Sequence, residues 1–188
     1  MILLNLGCGY PRPGLPWLNI DQLHSSLPNP KSQERINLAK ERNYIDCDLS
    51  KGIPFNDDEV DGIFASHFIE HLTPQESILF LKECHRVLKP GGVLRVSVPD
   101  AARMREYDLE GIRDYAGEYI PEGMTFTQHV LLFPEHKQIT TLETMTILFH
   151  LAGCFSRVEE KEFGVSLLEG LAAIDNRPSF SLFMEAVK

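Results

Sequence analysis

The sequence lacks any apolar run long enough to cross a bilayer, so no membrane-spanning helix is expected. It lacks a CxxC pair as well. Cys8, Cys47, Cys84 and Cys154 stand far apart, which removes the usual thiolate metal and redox motifs and leaves four reduced, mostly buried thiols as the expectation. Positive charge is scarce: 18 basic against 27 acidic side chains give a net charge of −9. Such a surface repels phosphate backbones, so nucleic acid is not expected as the main partner, while a cationic ligand is compatible with it. Internal repeats and low-complexity segments are missing, which excludes solenoids and long disordered tracts. No basic stretch precedes the apolar run that begins at Met1, so no signal peptide is expected, and a cytoplasmic location follows as the default.

What is present fits one globular domain over residues 1–188, with a full-sized core. Seven segments read as strands: Ile2–Leu6, Trp17–Ile20, Tyr44–Cys47, Val60–Ser66, Val93–Val98, Arg157–Phe163 and Phe180–Val187. Thr73-Pro74-Gln75-Glu76 is a capping box with proline in the first helical position. Ile78, Leu81, His85 and Leu88 follow at helical spacing, and Pro90-Gly91-Gly92 is expected to stop that helix. A second helix is expected from Thr140, with Glu143 completing a capping box. Leu142, Met145, Leu148, Phe149 and Ala152 form its apolar face, and Gly153 supplies a left-handed end. A weaker helix is read over Ser32–Arg42. Residues 101–135 show no clear period, and so long an irregular stretch reads as a lid or acceptor-binding segment.

Strands alternating with helices give an α/β fold: a Rossmann-like open sheet of about seven strands, mostly parallel, with helices on both faces. Only Gly164–Ser179 separates the last two strands, which predicts an antiparallel edge. In such sheets ligands bind outside the carboxyl ends of the strands. Gly7-Cys8-Gly9 follows the first strand, where missing side chains let a ligand approach the backbone. Asp21 ends the second, placed to accept hydrogen bonds from a ribose diol. Asp48 follows the third. Ser66, His67 and Phe68 follow the fourth, and Pro99-Asp100 the fifth.

With these motifs in order, the sequence resembles the class I S-adenosylmethionine-dependent methyltransferases. The resemblance runs through NLGCG (5–9), WLNID (17–21), DCDLSKGIPFNDDEVDGIFASHFIEHL (46–72) and FLKECHRVLKPGGVLRVSVPD (80–100). It resumes weakly at HKQITTLETMTILFHLAGC (136–154). It implies S-adenosylmethionine as cofactor and methyl transfer to a small-molecule acceptor by a monomer or homodimer. Residue by residue, it implies that Gly7, Cys8 and Gly9 border the methionine part, with Asn5 and Leu6 beneath. Asp21 would bind the ribose and Asp48 the adenine amino group, with Leu49 on the ring face. Ser66 and His67 would lie near the sulfonium. The chain departs from the family at Asn5, where an acidic residue is usual, so no charge pair with the cofactor's ammonium is expected there. It departs again at Gly7–Pro16, which is too short and too rich in proline for a crossover helix.

Methyl transfer from a sulfonium is an in-line displacement, so positioning is the protein's main task and a general base is optional. His67, Glu70 and His136 are the candidates for that role, with His71 and His129 also available. Trp17 reads as core, and the acidic run 159–162 as a solvated strand face. Three rival readings stand beside methyl transfer. A cofactor-binding protein without turnover is compatible with the short 7–16 connection. His67-Phe68-Ile69-Glu70-His71 matches HxxEH, a zinc-hydrolase pattern in which His67 and His71 would share a helical face. That segment follows a strand at once and shows no obvious third ligand, so no metal is expected. A nicotinamide-dependent oxidoreductase would need GxGxxG opening a helix, whereas Tyr10-Pro11-Arg12-Pro13 follows here.

Overall fold

At the centre of the computed structural model, which describes residues 1–8, 17–22, 43–110, 114–115, 118–119, 124–131 and 135–188, lies a seven-stranded sheet. Its strands are β1 (Leu3–Leu6), β2 (Trp17–Asp21), β3 (Tyr44–Asp46), β4 (Val60–Ser66), β5 (Leu88–Pro99), β8 (Arg157–Lys161) and β9 (Ser181–Val187). A small hairpin of β6 (Asp114–Tyr115) and β7 (Glu118–Tyr119) stands apart from them. The order across the sheet is β3-β2-β1-β4-β5-β9-β8. The first five strands are parallel, and β9 runs antiparallel to both β5 and β8, as the short final connection predicts. The order reverses between β1 and β4, which makes their carboxyl ends the switch point where an open α/β sheet binds ligands.

Side chains alternate across the strands. Leu4 and Leu6 of β1, Ile63 and Ala65 of β4, Leu94, Val96 and Val98 of β5, and Leu182, Met184 and Ala186 of β9 share one core. That face is covered by α1 (Pro74–Val87) and by a later helix over Leu142–Ala152. On the other face Leu3, Trp17, Phe64 and Val93 pack against the short 3-10 segment Leu171–Ile174. Trp17 meets Phe64 edge-on at 6.5 Å, the core role expected of it. No disulfide joins the four cysteines, and they are less buried than expected: Cys84 is buried, whereas Cys8, Cys47 and Cys154 are half-buried.

Three expectations need correction. The helix that starts at Thr73 does so with its reciprocal cap in place, but ends at Val87, before Pro90-Gly91-Gly92. Leu88 is already extended and pairs with Val60, so the Pro-Gly-Gly stretch belongs to β5. Proline disfavours helical backbone in the residue before it, so the turn out of the helix comes early. Second, Thr140 does not cap its helix. It is buried with its hydroxyl donating to the Pro99 carbonyl, and Thr141 with Thr144 forms the capping box instead. Leu142 is consequently exposed, while Met145, Leu148, Phe149 and Ala152 are buried and Gly153 adopts φ +65°. Third, residues 101–135 are not irregular throughout. They contain α2 (Ala101–Glu110) and α3 (Phe126–Leu131), and the helix over Leu142–Ala152 is then α4. Asp100 accepts from the Ala102 N–H at 3.0 Å at the start of α2. Met104, Val130 and Phe180 form a small core under α2 and α3. The weaker helix read at 32–42 lies outside the described residues.

Candidate active site

Gly7 leaves β1 with φ +61° and donates its N–H to the Ile20 carbonyl at 2.9 Å. A Cβ there would stand 2.3 Å from the Phe68 ring, so the bare backbone of the first loop closes directly on the residue after β4's turn. Cys8 is half-buried beside it, and Gly9 lies outside the described residues. Asn5 is buried and its amide donates to Asn19 at 2.9 Å, which ties β1 to β2 beneath the loop. Asp21 is half-buried at the end of β2, in register with Asp46 of β3, and accepts from the Gln22 N–H at 2.8 Å. Asp48 caps a single 3-10 turn over Leu49–Lys51, accepting from the Ser50 N–H at 3.1 Å and its hydroxyl at 2.6 Å. Those Ser50 bonds, followed by Lys51, hold its carboxyl below the usual range. Leu49 is buried beneath it in the main core.

Two polar chains begin at the end of β4. In the first, Ser97 donates to the Ser66 hydroxyl at 2.9 Å, and Ser66 donates to the Asn176 side-chain carbonyl at 3.2 Å. The second centres on His67, which adopts φ +50°. Few residues with side chains tolerate that region, although histidine is among the commoner ones. The conformation turns its ring inward. Nε2 lies 2.8 Å from the Ser181 hydroxyl, and Nδ1 lies 3.2 Å from Glu70 Oε1. Burial pushes the His67 pKa down, against the opposing pull of Glu70. Nε2 is therefore hydrogen-bonded inside the protein, and Nδ1 faces the Glu70 carboxylate.

Glu70 sits in the 3-10 turn Ile69–His71 and is only 1% exposed. Neither carboxylate oxygen has a hydrogen-bond partner, the His67 contact lacking the alignment of one. The segment before α4 folds over this turn. Lys137 N–H donates to the Glu70 carbonyl at 2.8 Å. Gln138 Nε2 reaches the carbonyls of Ile69 and Leu72 and the Ser77 hydroxyl at 2.8, 2.9 and 2.7 Å. Thr140 ties the same segment to the end of β5. His136 is thereby set beside His71, with ring centroids 4.8 Å apart. Burial lowers the His136 pKa, and its ring hydrogen-bonds the backbone of Val130. A cavity of about 10 Å³ lies between Glu70, His136, Gln138 and Thr140, roofed by Met104 and Val130. His67 and His71 do not share a helical face, so the helical zinc-peptidase arrangement is not formed.

Residues 4–96 match the family model for a methyltransferase domain. These residues form a methyltransferase domain. A methyltransferase from Archaeoglobus fulgidus described as S-adenosylmethionine-dependent has the same fold, with TM-score 0.60 and 18% identity over 99% of this chain and 85% of its own. PigF, solved with SAH, aligns at TM-score 0.59 and 15% identity over 100% of this chain and 50% of its own. A Thermotoga maritima structure described as a possible histamine N-methyltransferase aligns at 0.54 and 16%, covering 100% and 82%. No curated protein matches the chain.

S-adenosylmethionine is the methyltransferase's cofactor, and the residues present fit it. The side-chain-free turn at Gly7, the Asp21 carboxylate one strand away and the Asp48 turn beyond it follow one another along the carboxyl edge of β1, β2 and β3. Sequence reasoning passed over Ser97, Asn176, Ser181 and Gln138, which hold Ser66, His67 and the 69–72 turn. Ser97 had a signal, as a hydroxyl inside the apolar strand LRVSVP in register with Ser66. Asn176 and Gln138 had none, because their partners are far away in sequence.

Proposed function

We propose that this methyltransferase transfers the methyl group to a small-molecule acceptor held at the carboxyl ends of β4 and β5, beneath α2 and α3. The observation that carries this reading is the roofed pocket itself. Glu70, His136, Gln138 and Thr140 supply its polar lining and Met104 and Val130 its apolar lining, and its volume of about 10 Å³, that of one water molecule, marks where the acceptor's polar atom would be received. A nucleic-acid strand needs an open, basic groove, whereas this chain carries a net charge of −9.

In this reading Gly7, Cys8 and Gly9 border the methionine part of the cofactor, with Asn5 holding β1 to β2 below. Asp21 binds the ribose diol, and Asp48 and Leu49 bind the adenine. Ser66 lines the approach to the sulfonium. S-adenosylmethionine brings the electrophilic carbon, so the chain's own residues orient the acceptor and keep water away. Glu70 and His136 face the acceptor's polar group. His67, anchored through Nε2 to Ser181, positions Glu70 through its Nδ1 contact.

Two measurements test the reading. Calorimetric titration with S-adenosylhomocysteine should show Asp21→Ala binding weaker by about 1.5–3 kcal/mol, the worth of hydrogen bonds to a charged group. Unchanged affinity removes Asp21 from the site. Release of S-adenosylhomocysteine should be stimulated by some member of a panel of small amines, alcohols and thiols. Stimulation by RNA alone overturns the small-acceptor reading, and none by any acceptor favours a binder without turnover.

A further inference from the structure

Among the described residues, the buried carboxylate of Glu70, which makes no aligned hydrogen bond, is the least explained group. Leaving such a group without a hydrogen bond is costly, and more so when it is charged. Its nearest ion-pair contact, His67 Nδ1, lies on one side only. On the other side are two half-buried imidazoles. Ligand atoms of Glu70, His71 and His136 all lie within 4.8 Å of one another.

We propose that Glu70, His71 and His136 form a binding site for a borderline-soft divalent cation of the zinc class, at the acceptor end of the active site. The donor set is two imidazole nitrogens and one carboxylate oxygen, the composition of many open zinc sites, which leave a fourth position for water or a substrate atom. Tetrahedral coordination at about 2.0–2.2 Å needs ligand atoms about 3.3–3.6 Å apart, so the three side chains close by roughly an ångström. The surroundings suit that role. Metal-bound histidines characteristically donate their second ring nitrogen to a carbonyl or carboxylate, which fixes the tautomer. His71 Nδ1 lies 3.2 Å from the Glu135 carbonyl, leaving Nε2 for a metal. His136 is likewise bonded to the Val130 backbone. The carboxylate has its own outer partner in His67, and the Lys137 and Gln138 bonds hold the two ligand-bearing segments together. The site deepens the function proposed above, since the cavity lined by Glu70 and His136 is where the acceptor's polar group is placed.

This ligand set differs from the HxxEH reading. His67 moves to the outer shell, Glu70 becomes a ligand rather than a base, and the third ligand comes from a loop that sequence spacing does not reveal.

The test titrates zinc chloride into chelator-treated, full-length protein, followed by calorimetry. A parallel titration with cobalt chloride is read by the visible absorption of tetrahedral cobalt. The expected result is one saturable site with submicromolar affinity, and the cobalt band. Zinc should also raise the thermal midpoint, as any ligand of the native state does. Glu70→Gln, His71→Ala and His136→Ala should each weaken zinc binding at least tenfold and abolish the cobalt band. His150→Ala, on the exposed side of α4, should bind as the parent does. Circular dichroism of the metal-free variants separates lost ligation from lost folding, and half-buried His71 is the variant least able to disturb the core. No saturable site, or affinity unchanged in His71→Ala and His136→Ala, overturns the inference. S-adenosylhomocysteine titrated into the metal-free protein keeps the two readings apart. Binding without a zinc site retires the cation and leaves the methyltransferase reading standing; a zinc site without S-adenosylhomocysteine binding does the reverse.

Discussion

Replacing Arg95 with methionine gives the sharpest test of what holds the far side of the sheet. Arg95 lies in the middle of β5 with 0% of its side chain exposed, and its five N–H donors are all used. Two go to Asp175, one to Glu185, and one each to the Val165 and Glu162 carbonyls. Asp175 and Glu185 are equally buried, at 1% and 0% exposed. Methionine keeps most of the apolar stem but strands both carboxylates. Breaking one buried ion pair by removing a partner costs about 3–5 kcal/mol. The two carboxylates here share a single guanidinium, so the loss belongs at the upper end, about 5 kcal/mol. That is a large share of the 5–15 kcal/mol typical of a domain. At about 2–4 °C per kcal/mol for a chain of this size, the melting temperature should fall by roughly 10–20 °C. Arg95→Lys should fall in between, since an ammonium keeps the charge but offers three donors in place of a planar fork. Urea unfolding and thermal melting measure both variants. A loss below about 1 kcal/mol for Arg95→Met would refute the claim that this network holds the 162–175 segment to the sheet. The site should feel the change too, because Asn176, next to Asp175, accepts from Ser66. Cofactor affinity in Arg95→Met should therefore fall even at temperatures where the variant remains folded.

Three further outcomes are expected. Gly7→Ala places a methyl group 2.3 Å from the Phe68 ring on a backbone at φ +61°. It should cost about 2 kcal/mol by overpacking and weaken S-adenosylhomocysteine at least tenfold; parental affinity would mean that the ligand does not use this turn. Gln138→Leu strips the Ile69 and Leu72 carbonyls of their tether and should cost about 1–3 kcal/mol in urea unfolding, an unchanged midpoint counting against the clamp. Arg86 grips Glu83 with two bonds of 2.8 Å and holds its carboxyl below the ordinary value of 4.5. A lowered folded-state pKa gives stability that is present above the ordinary value and lost as pH falls through the folded one. The stability gap between parent and Glu83→Gln should thus be flat, at about 1 kcal/mol, from pH 7 down to about 5, and should shrink below pH 4.5; a gap that ignores pH there would exclude the pair as its source.

Much of the fold could be read from residues close in sequence. Val60–Ser66 is a short, mostly apolar run, and its strand is found at the expected bounds; Thr73 with Glu76 marks the start of α1 because both halves of that cap lie within one turn. The misreadings share one cause, a distant partner outweighing a local preference. Thr140 looks like a cap until the end of β5 takes its hydroxyl. Helix α2 carries few apolar residues in sequence order, and of its described side chains only Met104 is buried, against Val130 and Phe180 far along the chain, so no period announces it.

The site divides along the same line. Gly7, Asp21, Asp48 and Ser66 each sit at the end of a strand, so a reading that finds the strands also finds them. The meeting of Glu70 with His136 depends instead on how the 135–141 segment crosses the turn at 69–72. That crossing is fixed by one backbone bond from Lys137, the fork of Gln138 and the Thr140 hydroxyl. These contacts join groups some 40 to 70 positions apart. Nothing in HFIEH or in FPEHKQITT indicates the other. Glu70, His71 and His136 therefore become one cluster through these loop bonds. Cutting those bonds should disperse the cluster while leaving the glycine turn and both aspartates where they are. Gln138→Leu should accordingly impair zinc binding more than S-adenosylhomocysteine binding. Equal losses of both would mean that the two halves of the site are not built independently.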